Sequence, residues 1–380
     1  MVVRDDLKGT PMPGHLSLPL ADLADALRAG AVTSSQLIEE AIDNHTRLGE
    51  ALHAYKTWDP DRARAQARAA DALIGVGVDL GPLHGLPLSI KDLYGVAGYP
   101  TYAGTPRPLP VKWEREGPIV QALRAGMAVI TGKTHTVEVA FGGVGTNPHW
   151  GTPRNPWDAT HHRAPGGSSS GAGVSLWEGS AVVAFGSDTG GSVRIPASKT
   201  GTVGLKTSVG RWSTEGIVPL SPSLDTAGVL TRTVADAVIA FAAVDPLVEE
   251  PAATLLARLG AQSVKGLRIG VSEWFFQDCA PGIVEGVRRA LGELEARGAQ
   301  LVTVDLPEVE EASDLFRRGG LAAAEFATII NTEMKAYRAT LDANVLRRFD
   351  AIERTSAVDY LTRLWRLKEL AISIEGHFNE

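Results

Sequence analysis

Between Gly166 and Ala197 the chain reads GGSSSGAGVSLWEGSAVVAFGSDTGGSVRIPA, and no other stretch limits its fold so tightly. Two clusters of serine set in glycine, Ser168 to Ser170 and then Ser192, are joined by a run of mostly small and apolar residues. Glycine admits positive φ and leaves amide N–H groups uncovered, so Asp188-Thr189-Gly190-Gly191-Ser192 can aim several donors at one point. A hydroxyl at the end of such a turn is placed to attack a carbonyl whose developing charge the same amides stabilise. A flexible linker or a phosphate loop would also use glycine and serine. A linker, however, would not run straight into VSLWEGSAVVAFG, which reads as a small-residue helix start and then a buried strand. No G-x-x-x-x-G-K-[ST] pattern supports a phosphate site.

A serine hydroxyl is a weak nucleophile until a base takes its proton. The nine histidines stand at 15, 45, 53, 84, 135, 149, 161, 162 and 377, so only His377 follows the serines. A Ser, Asp, His order is therefore poorly supported, although Gly167 to Gly171 formally matches G-x-S-x-G. Lys91 stands alone in LHGLPLSIKDLYGV, an apolar and β-prone stretch. A lysine at a strand end is more often a surface residue, but burial here would lower its pKa toward neutrality and let the amine accept a proton.

These residues carry a resemblance. From about Leu18 to about Pro246 the chain resembles the amidase signature family of serine hydrolases, through GPLHGLPLSIKDL, TYAGTP, GKTHTVEVAFG, GTPRNPWD, the serine-glycine block and VGLKTSVGRWSTEGIVPLSPSLDTAGVLTRTVADA. The resemblance implies a Ser-cisSer-Lys triad with Ser192 as nucleophile, Ser168 as the bridging serine on a cis peptide bond, and Lys91 as base. Ser168 precedes Ser192 by 24 positions, which suits the family's arrangement. Neutral Lys91 would draw a proton through Ser168 from Ser192, whose oxygen adds to an amide carbonyl. The same relay run backward would protonate the leaving nitrogen, and water would then hydrolyse the acyl-enzyme. The amides of Thr189, Gly190, Gly191 and Ser192 are expected to hold the oxyanion, with Gly142, Gly143 and Val144 completing the substrate contacts. Where the family usually reads GGSSGG, this chain carries Ser170 in place of a glycine. Asp188 is expected to brace the loop, and Arg194 either to serve a nearby carboxylate or backbone group or to bind substrate.

The implied fold is α/β, an α/β/α layered mixed sheet covered by helices, in a single domain over 1–380. LADLADALRAG and SSQLIEEAIDNHTRL make 1–70 a helical wrap, the second helix starting from a serine cap. The catalytic core spans 82–246, with strands such as LPLSI and MAVITG alternating with helices, and 266–380 reads as β-α-β followed by helix. Family members usually continue past this point with another strand and helix. The chain is thus expected to be a short version, a truncated one, or one whose C-terminus a homodimer mate or another partner completes.

A net charge of -7 gives no electrostatic footprint for nucleic acid or anionic membrane, and no apolar run approaches a transmembrane length. One cysteine excludes an intramolecular disulfide, and MVVRDDLKGTPMPG lacks a signal peptide's apolar core, so a cytoplasmic enzyme is expected. Neither His161-His162 nor His135 and His149 have the partners of a metal site, and no cofactor is expected. An amidase acting on a small-molecule amide is the first expectation. A carbamate or ester hydrolase would use the same triad. The glutamine-hydrolysing subunit of a tRNA-dependent amidotransferase usually carries glutamine after the arginine of its nucleophile motif, whereas Ile195 follows Arg194 here. Tyr102, Phe141, Val144, Trp150 and Trp212 are candidates for pocket walls or for core, and their apolar character leans toward an aryl or alkyl amide over a small dicarboxylic one.

Overall fold

The computed structural model describes residues 14–350, 352 and 355–378. Contacts cluster in two compact units: one extends to Leu256 and takes up Glu325–Arg347 again, and the other holds Ala257–Ala324 and the residues from Arg348 on. The first unit contains α1 (Leu20–Arg28), α2 (Ser34–Leu52), β1 (Tyr55–Trp58), α3 (Pro60–Gly75), β2 (Pro87–Lys91), α4 (Pro118–Ala125) and β3 (Val129–Thr134). It continues through α5 (Ala172–Glu178), β4 (Val183–Asp188), α6 (Arg194–Thr200), β5 (Val203–Lys206), β6 (Thr226–Thr231) and α7 (Val234–Val244).

Its six strands form a mixed sheet in the order β1-β3-β2-β4-β6-β5. The central β2 pairs in parallel with both β3 and β4, while β1 and β6 join antiparallel and β5 runs antiparallel to β6. Every residue of β2, β3, β4 and β6 is buried. That is why PLSIK and VAFGSD do not alternate polar with apolar: helices flank the sheet, and a strand covered on both faces needs small or apolar residues throughout. Ala172, Leu176, Ala184, Val193, Ala197 and Leu230 form one core cluster that fixes α5 and α6 on β4 and β6. A second cluster joins Ile38 and Ile42 of α2 to Ala63 and Ala67 of α3 and to Val129 of β3. Because β2 and β4 are parallel neighbours, Lys91 and Asp188 close them at the same edge, the end of an α/β sheet where ligands bind.

Two local expectations need correction. The cap of α2 is Thr33, whose side chain accepts from the Gln36 amide while the Gln36 side chain accepts from the Thr33 amide. Ser34 already lies in the first turn, and the Asp71 carboxylate takes the amides of Ser34 and Ser35. The helical wrap is also interrupted by β1. YKTW is too short to show a period, and it is a strand because β3 offers an edge to pair with.

Further along, α8 (Ala252–Gly260) precedes the second unit's parallel pair, β7 (Arg268–Val271) and β8 (Gln300–Thr303), linked through α9 (Pro281–Ala296) as the β-α-β pattern predicts. Then come α10 (Pro307–Gly319), α11 (Leu321–Thr332), α12 (Ala343–Asp350) and α13 (Ala357–Gly376). α10 and α13 meet through the bidentate Arg366–Glu311 pair.

Candidate active site

Lys91, the last residue of β2, is fully buried. Its Nζ lies 2.7 Å from Ser168 Oγ, 3.0 Å from Ser187 Oγ and 3.3 Å from the Ser187 carbonyl. Among the described residues no carboxylate touches it, so burial dominates and pushes its pKa down to about 7, with Asp188 and Asp225 opposing from a distance. A neutral amine has two N–H groups and one lone pair. With Ser187 accepting both hydrogens through its hydroxyl and carbonyl, the lone pair can face the Ser168 hydroxyl.

Ser168 is fully buried, and the Gly167–Ser168 peptide bond is cis. The Ser168 carbonyl accepts the amides of Val137, at 3.0 Å, and Ser170, at 2.8 Å, while the Gly167 amide donates to the Gly143 carbonyl at 2.9 Å. Here glycine is required sterically. Gly145 has φ +100°, and a Cβ on it would lie 2.4 Å from the Gly166 carbonyl oxygen. The 142–145 turn is thereby laid directly on the 166–167 turn. Within it Val144 is exposed. Ser170, where a glycine is usual, has a buried hydroxyl with no hydrogen-bond partner among the described residues.

Beyond β4 the chain turns through Thr189–Val193 into α6. The Asp188 carboxylate accepts the amides of Gly191 at 2.6 Å and Val193 at 3.0 Å, and the guanidinium of Arg194 at 2.9 and 3.1 Å. Burial opposes ionisation, but these donors outweigh it and hold the carboxyl below its usual range. Asp188 therefore braces the turn, and Arg194 is its partner. The expectation that the Gly191 amide belongs to the oxyanion hole needs correction, since that N–H is spent on Asp188. The amides of Thr189, Gly190 and Ser192 donate to no described residue. Gly191 serves the turn through its φ of +122°.

Ser192 is 8% exposed, and its carbonyl accepts the Ser169 amide at 3.2 Å. The structure thus brings the two serine clusters side by side through their backbones. It closes the Lys91–Ser168 hydrogen bond but not one between the Ser168 and Ser192 side chains.

Three functional neighbours were not named from sequence. Ser187 is one, and the signal for it was a polar side chain closing an otherwise apolar strand beside Asp188. Asp225 is another: it accepts from the Thr189 hydroxyl and from the amides of Leu220 and Ser221, both at 2.9 Å, tying the turn to the 214–226 loop. Glu325 holds that same loop from its far side. A cleft beside Ser187 and Thr189 is walled by Ala140, Ile217, Leu220 and Pro222. The other aromatic candidates lie elsewhere. Trp212 is core, packed on Phe241 and donating to Asp245, and Phe141 meets Phe326. The Lys56 ammonium lies over the rings of both Tyr102 and Trp150, 3.7 and 3.6 Å from their centroids.

No group of His, Cys, Asp and Glu among the described residues could hold a metal ion. His149 pairs with buried Glu138 at 2.8 Å, His135 stacks on His53, and His161 contacts Asp158. Among the described residues no helix is long and apolar enough to cross a membrane.

A mixed α/β sheet with serines and a buried lysine at one edge defines a class of amide-cleaving hydrolases, and comparisons with known proteins agree. The profile of the family described as Amidase matches residues 36–375, and the chain belongs to that family of carbon–nitrogen amide hydrolases. It is 53% identical over 350 residues to 2-amino-5-chloromuconic acid deaminase of Comamonas testosteroni, covering 92% of this chain and 74% of that protein. An amidase of Pseudomonas putida is 36% identical, over 90% of this chain and 73% of the relative. One glutamyl-tRNA(Gln) amidotransferase subunit of Salinispora arenicola is also 36% identical, but over 78% of this chain, which spans only 62% of that relative. Among solved structures, native peptide amidase of Stenotrophomonas maltophilia superposes with a TM-score of 0.72 at 30% identity, covering 90% of this chain and 77% of that one.

Proposed function

We propose that the chain hydrolyses a linear amide through an acyl-enzyme on Ser192, with Lys91 as base and Ser168 as relay. The observation that carries this reading is the 2.7 Å contact between Ser168 Oγ and a lysine that burial brings down to about 7. In acylation the Ser192 Oγ–carbon bond forms, and the Ser192 proton passes through Ser168 to Lys91. The carbon–nitrogen bond then breaks as the relay returns a proton to the leaving nitrogen. The free amides of Thr189, Gly190 and Ser192 stabilise the oxyanion, with Gly142, Gly143 and Val144 beside the substrate. Water repeats the sequence on the acyl-enzyme, releasing carboxylate. A fluorophosphonate probe is expected to add its mass to the peptide holding Ser192. Labelling that survives in Ser192→Ala would overturn the assignment.

A second reading concerns the substrate. The 53% relative is named for removing the amino group of a chlorinated muconic acid, a dicarboxylate. That identity favours an amino-substituted unsaturated diacid as a substrate class here, against the lean toward an aryl or alkyl amide. Both reactions break a carbon–nitrogen bond and release ammonia or an amine, so ammonia measured across aliphatic amides, anilides, carbamates, glutamine and 2-aminomuconate ranks them. Turnover of glutamine above all others would support the amidotransferase alternative.

A further inference from the structure

The 214–226 loop has no regular secondary structure before β6 begins at Thr226, yet it supplies most of one cleft wall. Its shape is fixed from two sides. Asp225 takes the amides of Leu220 and Ser221, and Glu325 takes three donors from the same bend: the Ser221 hydroxyl at 3.1 Å, the Ser223 amide at 3.0 Å and the Ser223 hydroxyl. Leu220 and Pro222 line the cleft, and their chain neighbours Ser221 and Ser223 are the residues that Glu325 holds. Asp225 and Glu325 thus share the bend that carries both wall residues, and Glu325 does so without lining the cleft.

We propose that Glu325 is a specificity-determining positioning residue: by holding Ser221 and Ser223 it sets how far Leu220 and Pro222 reach into the cleft, and so the bulk of the substrate group that fits beside Ser187 and Thr189. This rests on the acyl-enzyme reading above. Hydrogen bonds to a charged acceptor are stronger than neutral ones, and a carboxylate oxygen offers lone pairs that an amide NH₂ does not. Replacing Glu325 with glutamine removes one charged acceptor oxygen and loosens the Ser221–Ser223 side of the bend, Asp225 keeping the Leu220 and Ser221 amides, while the Lys91–Ser168 contact lies outside the change. A group larger by one or two methylenes then gains access that the wild-type wall denies.

The test is a series of amides with acyl and amine substituents of graded bulk, assayed with wild type, Glu325→Gln and Ser223→Ala. The ratio of kcat/KM for bulky over small substrates is expected to rise about tenfold in Glu325→Gln, the scale on which apolar pockets discriminate methylenes. A smaller rise is expected in Ser223→Ala, which leaves the carboxylate in place and keeps the question open to test should Glu325→Gln fold poorly. Labelling of Ser192 by a small fluorophosphonate is measured in parallel and should stay within about threefold of wild type. A uniform loss across the series in both variants, with the ratio unchanged, overturns the proposal. Absence of Ser192 labelling in the wild-type protein would instead count against the acyl-enzyme reading itself.

Discussion

Lys91 and Lys133 sit near the ends of neighbouring parallel strands, both wholly buried, and they are in opposite electrostatic situations. Lys133 has a carboxylate, Asp92, at 2.9 Å, and its remaining hydrogens go to the Thr101 hydroxyl at 2.6 Å and the Pro100 carbonyl at 3.2 Å. Burial pushes the lysine down and the aspartate up, and each charge pulls the other back. Lys91 has only hydroxyls and a carbonyl in contact among the described residues, and the more distant Asp188 and Asp225 restore only part of what burial takes. One buried lysine is structural because it is paired. The other can titrate near neutrality because it is not. The two differ by whether a carboxylate arrives, which neither SIKDL nor GKTHT reveals on its own.

The largest expected effect comes from removing the unpaired amine. Lys91→Met should lower kcat/KM by roughly 10³-fold or more while the protein remains folded, since a methionine fills the same buried slot without a charge. A loss under tenfold would point to a different base. Next, Lys133→Met should leave Asp92 buried without its ion-pair partner, keeping only the Tyr102 amide as hydrogen-bond donor among the described residues, and cost about 3–5 kcal/mol of stability. Urea unfolding reads this directly, and the Lys133→Met/Asp92→Asn double variant should recover much of it. Equal stabilities in wild type and Lys133→Met would erase the distinction between the two lysines.

The pH dependence sharpens the contrast. Below about 7 Lys91 is protonated, so kcat/KM should fall about tenfold per pH unit and level off on the alkaline side. For stability the sign is the same. Between about 7 and the 10.5 of a free lysine the unfolded chain holds a proton that the folded one lacks, so the contribution of this group to stability rises with pH across that window and is smallest below it. A rate profile that peaks near pH 5 would implicate a carboxylate. The smallest effect belongs to Ser187→Ala. It removes one of two acceptors that orient the amine, and a loss of about tenfold in kcat with KM little changed is expected. A change confined to KM would mean Ser187 serves the substrate and not the lysine.

What could be read from the sequence follows a physical division. Choosing Ser168 among three adjacent serines and Lys91 as base rests on the family resemblance, whereas the glycine-set serine clusters and a lysine in an apolar strand are local patterns. The central strands are legible for the same reason, as is the β-α-β run from Arg268 to Thr303. Asp225, Glu325 and the cap at Thr33 depend on what packs against them. Glu325 meets Ser221 across 104 positions, and no window of sequence contains both. The Gly191 amide shows the converse. Glycine in a turn promised a free donor, and a carboxylate three residues earlier had already taken it.

The interrupted first unit, which stops at Leu256 and resumes at Glu325, also sets a schedule for the protein's own manufacture. A ribosome adding about 5–20 residues per second needs about 3–14 s to make the intervening 257–324. The strands bearing Lys91 and Ser187 have emerged by then, while the bend at Ser221 still waits for its acceptor. Closing that long detour is an entropic cost met only once, late, and by few residues. The strands carrying Lys91 and Ser187 are therefore synthesised several seconds before the carboxylate that holds the bend at Ser221.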